Sequence, residues 1–313
     1  MNWVGLRKWF LLMSLGMILP GVIFLIIAPG LRPGIDFTGG SSLSLQFTEP
    51  VEQQELREAL VSIGIDGATV QRLGDDSYFI RTKELDEAAK ENLLFGLTGE
   101  LGVTGVELLA FDLVSPVLAR DIVVKGFWAV FAAAIGIFLY MWWAFRNMPN
   151  PLHFGAAAII ALIHDTFIVV GVFAILGVVA TIEVNTMFLI ALLTVIGFSV
   201  NDTIVVFDRL RENVGFFPGR PLASNVNLSI SETFSRSINT SATLIITILA
   251  LLLFGGQTIR DFLIVLLIGV TVGTYSSIAV ASQFIVVWNE HGMMWPFGRR
   301  QARESSSVKV SAG

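Results

Sequence analysis

Six apolar runs constrain this chain more than any other feature: residues 9–28, 126–145, 154–179, 187–207, 239–254 and 262–288. Crossing the hydrocarbon core of a bilayer takes roughly 20 mostly apolar residues. Backbone polar groups in lipid must be paired within the segment, so each run is expected to be a helix. The fifth run is the shortest and the weakest of the six signals. Hydrophobic residues are 54% of the chain and charged residues 14%, above and below the shares usual for soluble domains. Arg7 and Lys8 precede the first run as in a signal peptide, but Pro29, Gly30 and Arg32 follow it in place of a small-residue cleavage site. We therefore expect a retained anchor. The net charge of -5 and the lack of a basic run before the last segment give no sign of nucleic-acid binding. The absence of Cys removes disulfides, thiolate metal sites and cysteine nucleophiles.

Alternation of the spans places Arg7 and Lys8, Arg146, Arg209, Arg211 and Arg220, and Arg299, Arg300 and Arg303 on one side. The opposite short loops, 180–186 and 255–261, hold only Arg260. The basic side is expected to be cytoplasmic, with both termini in it. The chain then divides into residues 1–28 (N-terminus and first span), 29–125 (an external domain), 126–298 (spans two to six) and 299–313 (a Ser-rich, basic, disordered tail). Within the external segment, Leu43, Leu45 and Phe47 alternate with Ser42, Ser44 and Gln46 as in a half-buried strand. A helical pattern follows at 51–63, then strands at 69–73 and 77–82 around the turn Gly74-Asp75-Asp76, a helix at 85–101 and a strand at 103–111. The order βαββαβ predicts a ferredoxin-like α+β domain.

An ionisable group in the hydrocarbon costs about 2.5–3.5 kcal/mol on insertion scales. Asp202, flanked by apolar residues in the fourth span, is the foremost such group; Arg209, seven residues on, can reach the interface. Arg236 begins a stripe with Thr240, Thr243 and Thr247 on the fifth helix, and the hairpin between helices four and five lets Asp202 and Arg236 meet. Two readings stand. Asp202 either binds protons, with Arg236 as its cation, or joins Asn201 and the threonines in hydrogen-bonding helices together. His164 and Asp165 lie near the midplane of the third span, as a second relay element or as a structural pair. Their adjacency puts them on different helix faces, and with no further ligand residues nearby we expect no metal and no cofactor. Gly269, Gly273, Ser277 and Ala281 form a small-residue ridge for close helix packing, and Arg260-Asp261 marks a helix boundary.

Several of these residues carry a resemblance. Gly34-Ile35-Asp36-Phe37-Thr38-Gly39-Gly40 resembles the motif that opens the first external domain of the SecD/SecF family. The run from Val195 to Asn213, Ser235-Arg236-Ser237-Ile238-Asn239-Thr240-Ser241, and Gly269 with Val272-Gly273-Thr274-Tyr275-Ser276-Ser277 are similar to helices four, five and six of its SecF branch. The acid at Asp202, with Asn201 before it, favours that branch over SecD. The resemblance implies a fold like the resistance-nodulation-division transporters in the bacterial inner membrane. It implies SecD, the SecYEG translocon, other Sec accessory membrane proteins and unfolded preproteins as partners, with proton flow driving external domains during export. It assigns the protonatable carboxylate to Asp202 and its arginine partner to Arg236. Asp36, Phe37, Gly39 and Gly40 become the junction between membrane and periplasmic domain, with His164 and Asp165 in support.

Three other functions compete. A structural stabiliser of a translocon needs no ion pathway. A half-size small-molecule exporter needs a roomy external cleft, which so small a domain supplies poorly. An enzyme needs a nucleophile and base or a phosphate loop, and the sequence shows neither.

Overall fold

The structure is a computed structural model that describes residues 2–27, 30–74, 76–256 and 259–291. The expected tail at 299–313 and the turn residue Asp75 lie outside the described residues. A short 3-10 turn, Val4–Leu6, leads into α1 (Arg7–Ile27), and a one-turn helix α2 (Ile35–Thr38) follows. A compact unit comes next: β1 (Gly40–Phe47), α3 (Gln53–Ser62), β2 (Thr69–Arg72), β3 (Ser77–Thr82), α4 (Glu87–Leu101) and β4 (Val106–Val114). Then come the long helices α5 (Pro116–Ala144), α6 (Pro151–Val179), α7 (Thr186–Phe216) and α8 (Leu222–Phe254). The last helical rod is α9 (Arg260–Ser276), a π-helical segment (Ser277–Ala281) and α10 (Ser282–His291). Six helical segments are long and apolar enough to cross a membrane.

The small sheet has the strand order β2-β3-β1-β4, all neighbours antiparallel, with a register shift between Ser44 and Leu45 on β1. Leu43 and Leu45 of β1 lie opposite Ile80 and Tyr78 of β3. All four are fully buried against Leu56 and Leu60 of α3 and Leu93 and Leu97 of α4. Each such side chain contributes about 1.5–3 kcal/mol through burial, so this core is what makes the unit self-consistent. The Tyr78 hydroxyl donates to the Val51 carbonyl at 2.5 Å, so the ring's polar end is paired inside that core. Asp86 caps α4 by accepting from the Ala89 amide, and Gly102 ends it in the left-handed region at φ 63°.

Three long helices extend well past their apolar runs. α5 starts at Pro116, ten residues before the run at 126, because Ser115 accepts from the Leu118 amide and proline at the first helical position suits an unpaired N–H. α7 and α8 run on to a common end, where Asn213 donates to Ser229 at 2.9 Å and to Glu232 at 2.8 Å, and Arg209 pairs with Glu232 at 2.8 Å. These polar links let both helices project beyond the apolar slab. The basic residues Arg7, Arg146, Arg209 and Arg211 gather at this end: Arg7 pairs with Glu290 at 2.5 Å, and Trp3 donates to Asn227 and Ser231 on α8. The small sheet sits at the opposite end, beside the α6–α7 loop.

Helix crossings use glycine where backbones nearly touch. A Cβ on Gly21 of α1 would lie 2.5 Å from the Cα of Gly171 on α6, whereas a Cβ on Gly16 would meet nothing within 4 Å. Gly21→Val must therefore push α1 off α6, at a cost of at least about 1–3 kcal/mol. Thermal unfolding of the purified protein in detergent should show a lower midpoint for Gly21→Val and an unchanged one for Gly16→Val; equal midpoints would contradict this crossing.

Candidate functional site

The polar centre of the bundle lies where α6, α7 and α9 meet. α9 approaches α7 closely because Gly269 faces Val195 and Gly273 faces Ser199, whose Cβ would be 2.9 Å from any Cβ at position 273. Larger residues there would hold the helices apart. The same approach brings Thr274 and Ser276 against α7. The ridge keeps its four-residue spacing through Gly269 and Gly273 but enters the π-helical segment at Ser277. Ser282 Oγ donates to the Ser277 carbonyl at 2.7 Å and Gln283 Nε2 to the Ile278 carbonyl at 3.3 Å. Side chains thus supply donors to carbonyls that a widened turn exposes.

Asp165 is the organising acid. Its Oδ1 is 2.9 Å from His164 Nδ1, and its Oδ2 accepts from Ser199 Oγ on α7 at 2.5 Å and from Ser276 Oγ on α9 at 2.8 Å. His164 Nε2 lies 2.9 Å from Ser14 Oγ on α1, Ser14 Oγ lies 3.1 Å from the Tyr275 hydroxyl, and Tyr275 donates to the Phe10 carbonyl at 2.7 Å. Counting hydrogens along this chain fixes the directions. Tyr275 spends its proton on Phe10, so Ser14 donates to Tyr275 and His164 Nε2–H donates to Ser14. The adjacent residues, expected on different helix faces, are in direct contact, with His164 reaching α1 through Ser14 and Asp165 reaching α7 and α9 through Ser199 and Ser276.

Asp202 is buried to 2% exposure, with Thr274 of α9 beside its carboxylate. Its Oδ2 has no hydrogen-bond partner among the described residues. Two buried carboxylates thus stand on neighbouring helices in opposite conditions, one saturated with donors and one not. Arg236 forms no ion pair with Asp202, and its side chain is exposed. The expected direct pair is not made within this chain. The stripe Thr240, Thr243 and Thr247 is exposed as well, its hydroxyls donating to the carbonyls of Arg236, Thr240 and Thr243. Asn201 is exposed, one step round α7 from Asp202, and shares that face with Thr194 and Gly197. Arg209 is held by Glu232 and by Glu212 at 2.6 Å, away from Asp202.

The junction residues lie at the far end. Asp36 Oδ2 accepts from the Thr186 amide at 2.7 Å, at the start of α7, and Phe37 packs against the apolar cluster of α6 and α7 that contains Phe173 and Phe188. Gly39 packs on Pro116, and Gly40 has φ 119°, where a Cβ would sit 2.5 Å from the Thr82 carbonyl oxygen. Ser14, Ser199, Thr274, Tyr275 and Ser276 were given no role on sequence grounds. Ser14 had a usable signal, as the one hydroxyl between residues 9 and 27. The serines on α7 and α9 had none, because small hydroxyl residues pack helices in any bundle.

The contrast between the two acids predicts unequal stability effects. Asp165→Asn should cost about 3–5 kcal/mol, the range for removing one partner of a buried ionic network, and should lower the melting midpoint in detergent sharply. Asp202→Asn should shift it far less. Equal losses would show that Asp202 is held as firmly as Asp165.

Comparisons with known proteins agree with this architecture. Residues 99–291 match the family described as protein export membrane protein SecD/SecF, C-terminal, and residues 24–51 match the SecD/SecF GG motif. The protein translocase subunit SecF of Thermobaculum terrenum is 41% identical, covering 97% of this chain and all of that protein. That of Anaerolinea thermophila is 38% identical, covering 98% of this chain and all of its own length. The crystal structure of SecDF, a translocon-associated membrane protein from Thermus thermophilus, superimposes with a TM-score of 0.80 at 33% identity. That match covers 93% of this chain and 39% of the SecDF chain. On these grounds the chain belongs to the SecD/SecF family of protein-export membrane proteins.

Proposed function

We propose that this chain acts as the SecF subunit of the Sec export machinery and that Asp202 binds and releases the protons that drive it. The observation that carries the reading is the unpartnered Oδ2 of a buried carboxylate beside a saturated one. A structural acid is used up by its donors, as Asp165 is. An acid that must take up a proton needs a free oxygen and a charged state that is neither fully satisfied nor impossible, which burial and a distant cation supply together. One charge crossing 100 mV is worth about 2.3 kcal/mol, enough to shift a two-state equilibrium by tens of fold.

The exposed polar face supports a partner. Thr194, Gly197 and Asn201 on α7 and Arg236, Thr240, Thr243 and Thr247 on α8 are all exposed at the level of the apolar slab. Polar groups facing lipid are costly, so this face is expected to be covered by protein. We assign that cover to SecD, whose helices would complete the surroundings of Arg236 and draw it toward Asp202. The reading further places the small sheet domain, a ferredoxin-like unit, in the periplasm of the bacterial inner membrane. Both termini are then cytoplasmic, the SecYEG channel lies alongside, and an unfolded preprotein is the cargo. On this reading the chain is a transport subunit with no reaction of its own.

A second reading, a translocon stabiliser without a proton pathway, draws on the Asp165 network, which ties α1, α6, α7 and α9 together whether or not protons move. Asp202→Asn separates the two. Reconstituted with SecD, the variant should assemble normally but lose at least tenfold of the export stimulated by a proton gradient, while Asp202→Glu retains part of it. Undiminished stimulation in Asp202→Asn would establish the stabiliser.

A further inference from the structure

The external domain is fastened to the helix that carries Asp202, and the fastening is chemically specific. α7 begins at Thr186, whose amide donates to Asp36 Oδ2 at 2.7 Å, while Asn185 accepts from the Phe188 amide at 3.0 Å. One end cap is therefore local and the other is a carboxylate from the segment that opens the external domain. A negative group at a helix N-terminus interacts favourably with the helix dipole as well as with the N–H it accepts from. Three residues before Thr186, Glu183 accepts from Arg81 Nη1 at 2.9 Å. Arg81 stands on β3 and also donates to the Pro33 carbonyl at 2.9 Å and to Thr38 Oγ1 at 3.1 Å. A single guanidinium thus joins the sheet, the segment leaving α1 and the α6–α7 loop.

The backbone reinforces the same junction. Gly34 N–H donates to the Val184 carbonyl at 2.7 Å and Val184 N–H to the Arg32 carbonyl at 2.8 Å. Phe37 packs against the apolar cluster that contains Phe173 and Phe188, whose own rings meet at 4.7 Å. From Thr186, α7 runs without proline to Ser199 and Asp202, about 20–24 Å along its axis. Ser199 binds Asp165 and Asp202 lies one turn further, so a rigid displacement at the outer end of α7 must be felt at both acids.

We infer that Asp36 and Arg81 are positioning residues that lock the external domain to the outer end of α7, so that the domain's orientation and the charge state of Asp202 change together. The inference rests on the reading of Asp202 as the proton-binding group. It assigns a mechanical task to the carboxylate of the junction motif, and it adds Arg81 and Glu183 outside that motif.

The chain has no cysteine, so two can be introduced for spin labels at the exposed positions Phe95 on α4 and Val179 at the end of α6. Distances between the labels are measured by pulsed electron resonance in the complex with SecD, comparing Asp202 with the neutral mimic Asp202→Asn. With Asp36 and Arg81 intact, the two distance distributions should differ. In Asp36→Asn with Arg81→Met the difference should fall to less than a quarter of its original size. Arg81→Lys, which keeps a cation facing Glu183, should restore more than half of what Arg81→Met alone removes, a rescue that a general loss of packing does not produce. A difference that persists undiminished in the double variant overturns the lock and leaves the proton reading intact. Identical distributions for Asp202 and Asp202→Asn with the lock intact overturn both. Equal behaviour of Arg81→Lys and Arg81→Met removes Arg81 from the lock. Thermal midpoints recorded in parallel identify any variant that has simply unfolded, and for such a variant Glu183→Gln, which removes the same ion pair from the loop side, replaces it with the same expected loss.

Discussion

Ser199 of α7 and Ser276 of α9 donate to one oxygen of Asp165 on α6, and His164 Nδ1 lies 2.9 Å from the other. The remainder of the membrane bundle is arranged around that convergence. It requires α7 and α9 at glycine distance, which Gly269 and Gly273 permit. It also requires Ser276 on the correct face of its helix, immediately before the turn widens into the π-helical segment. Through Ser14 it reaches α1, which Gly21 and Gly171 hold against α6. A buried acid with both oxygens engaged in this way fixes helix positions more than it supplies net stability, since desolvation offsets much of the attraction.

That fixed centre gives the neighbouring acid its character. Asp202 stands on the same helix as Ser199, less than one turn away, yet receives no comparable set of donors. A carboxylate with a free oxygen can change charge without first breaking a network, whereas Asp165 is tied into a contact among three helices. Division of labour between two acids, set by environment, is a recurring way to keep one group structural and the other titratable. Arg236 stands off and exposed on a polar face that this chain alone does not cover. The chain spans 39% of the matched SecDF.

How much of this could be read from the sequence follows from the kind of signal each part leaves. Apolar runs gave the spans, since burial in lipid is a property of composition. The strands and helices of the small domain were visible in the alternation of Leu43, Leu45 and Phe47 and in the spacing of Leu56, Ala59 and Leu60. Helix ends were not read well. α5 begins at the Ser115-Pro116 cap and α7 and α8 extend as polar helices, because capping and ion pairs continue a helix after apolarity stops. Asp202 was conspicuous as an expensive residue, but the saturation of Asp165 was hidden, since it depends on serines from other helices. The role of Asp36 was hidden for the same reason: its partner is a backbone amide 150 positions away.

The central claim is that Asp202 changes its protonation state while Asp165 keeps its network. Infrared difference spectroscopy of the assembled complex between high and low pH tests it most directly. The account predicts a carboxylic-acid carbonyl band that appears on acidification, is absent in Asp202→Asn and persists when Arg209, held elsewhere by Glu212 and Glu232, is replaced by Gln. A band that survives Asp202→Asn unchanged would contradict the account and assign the proton to another group.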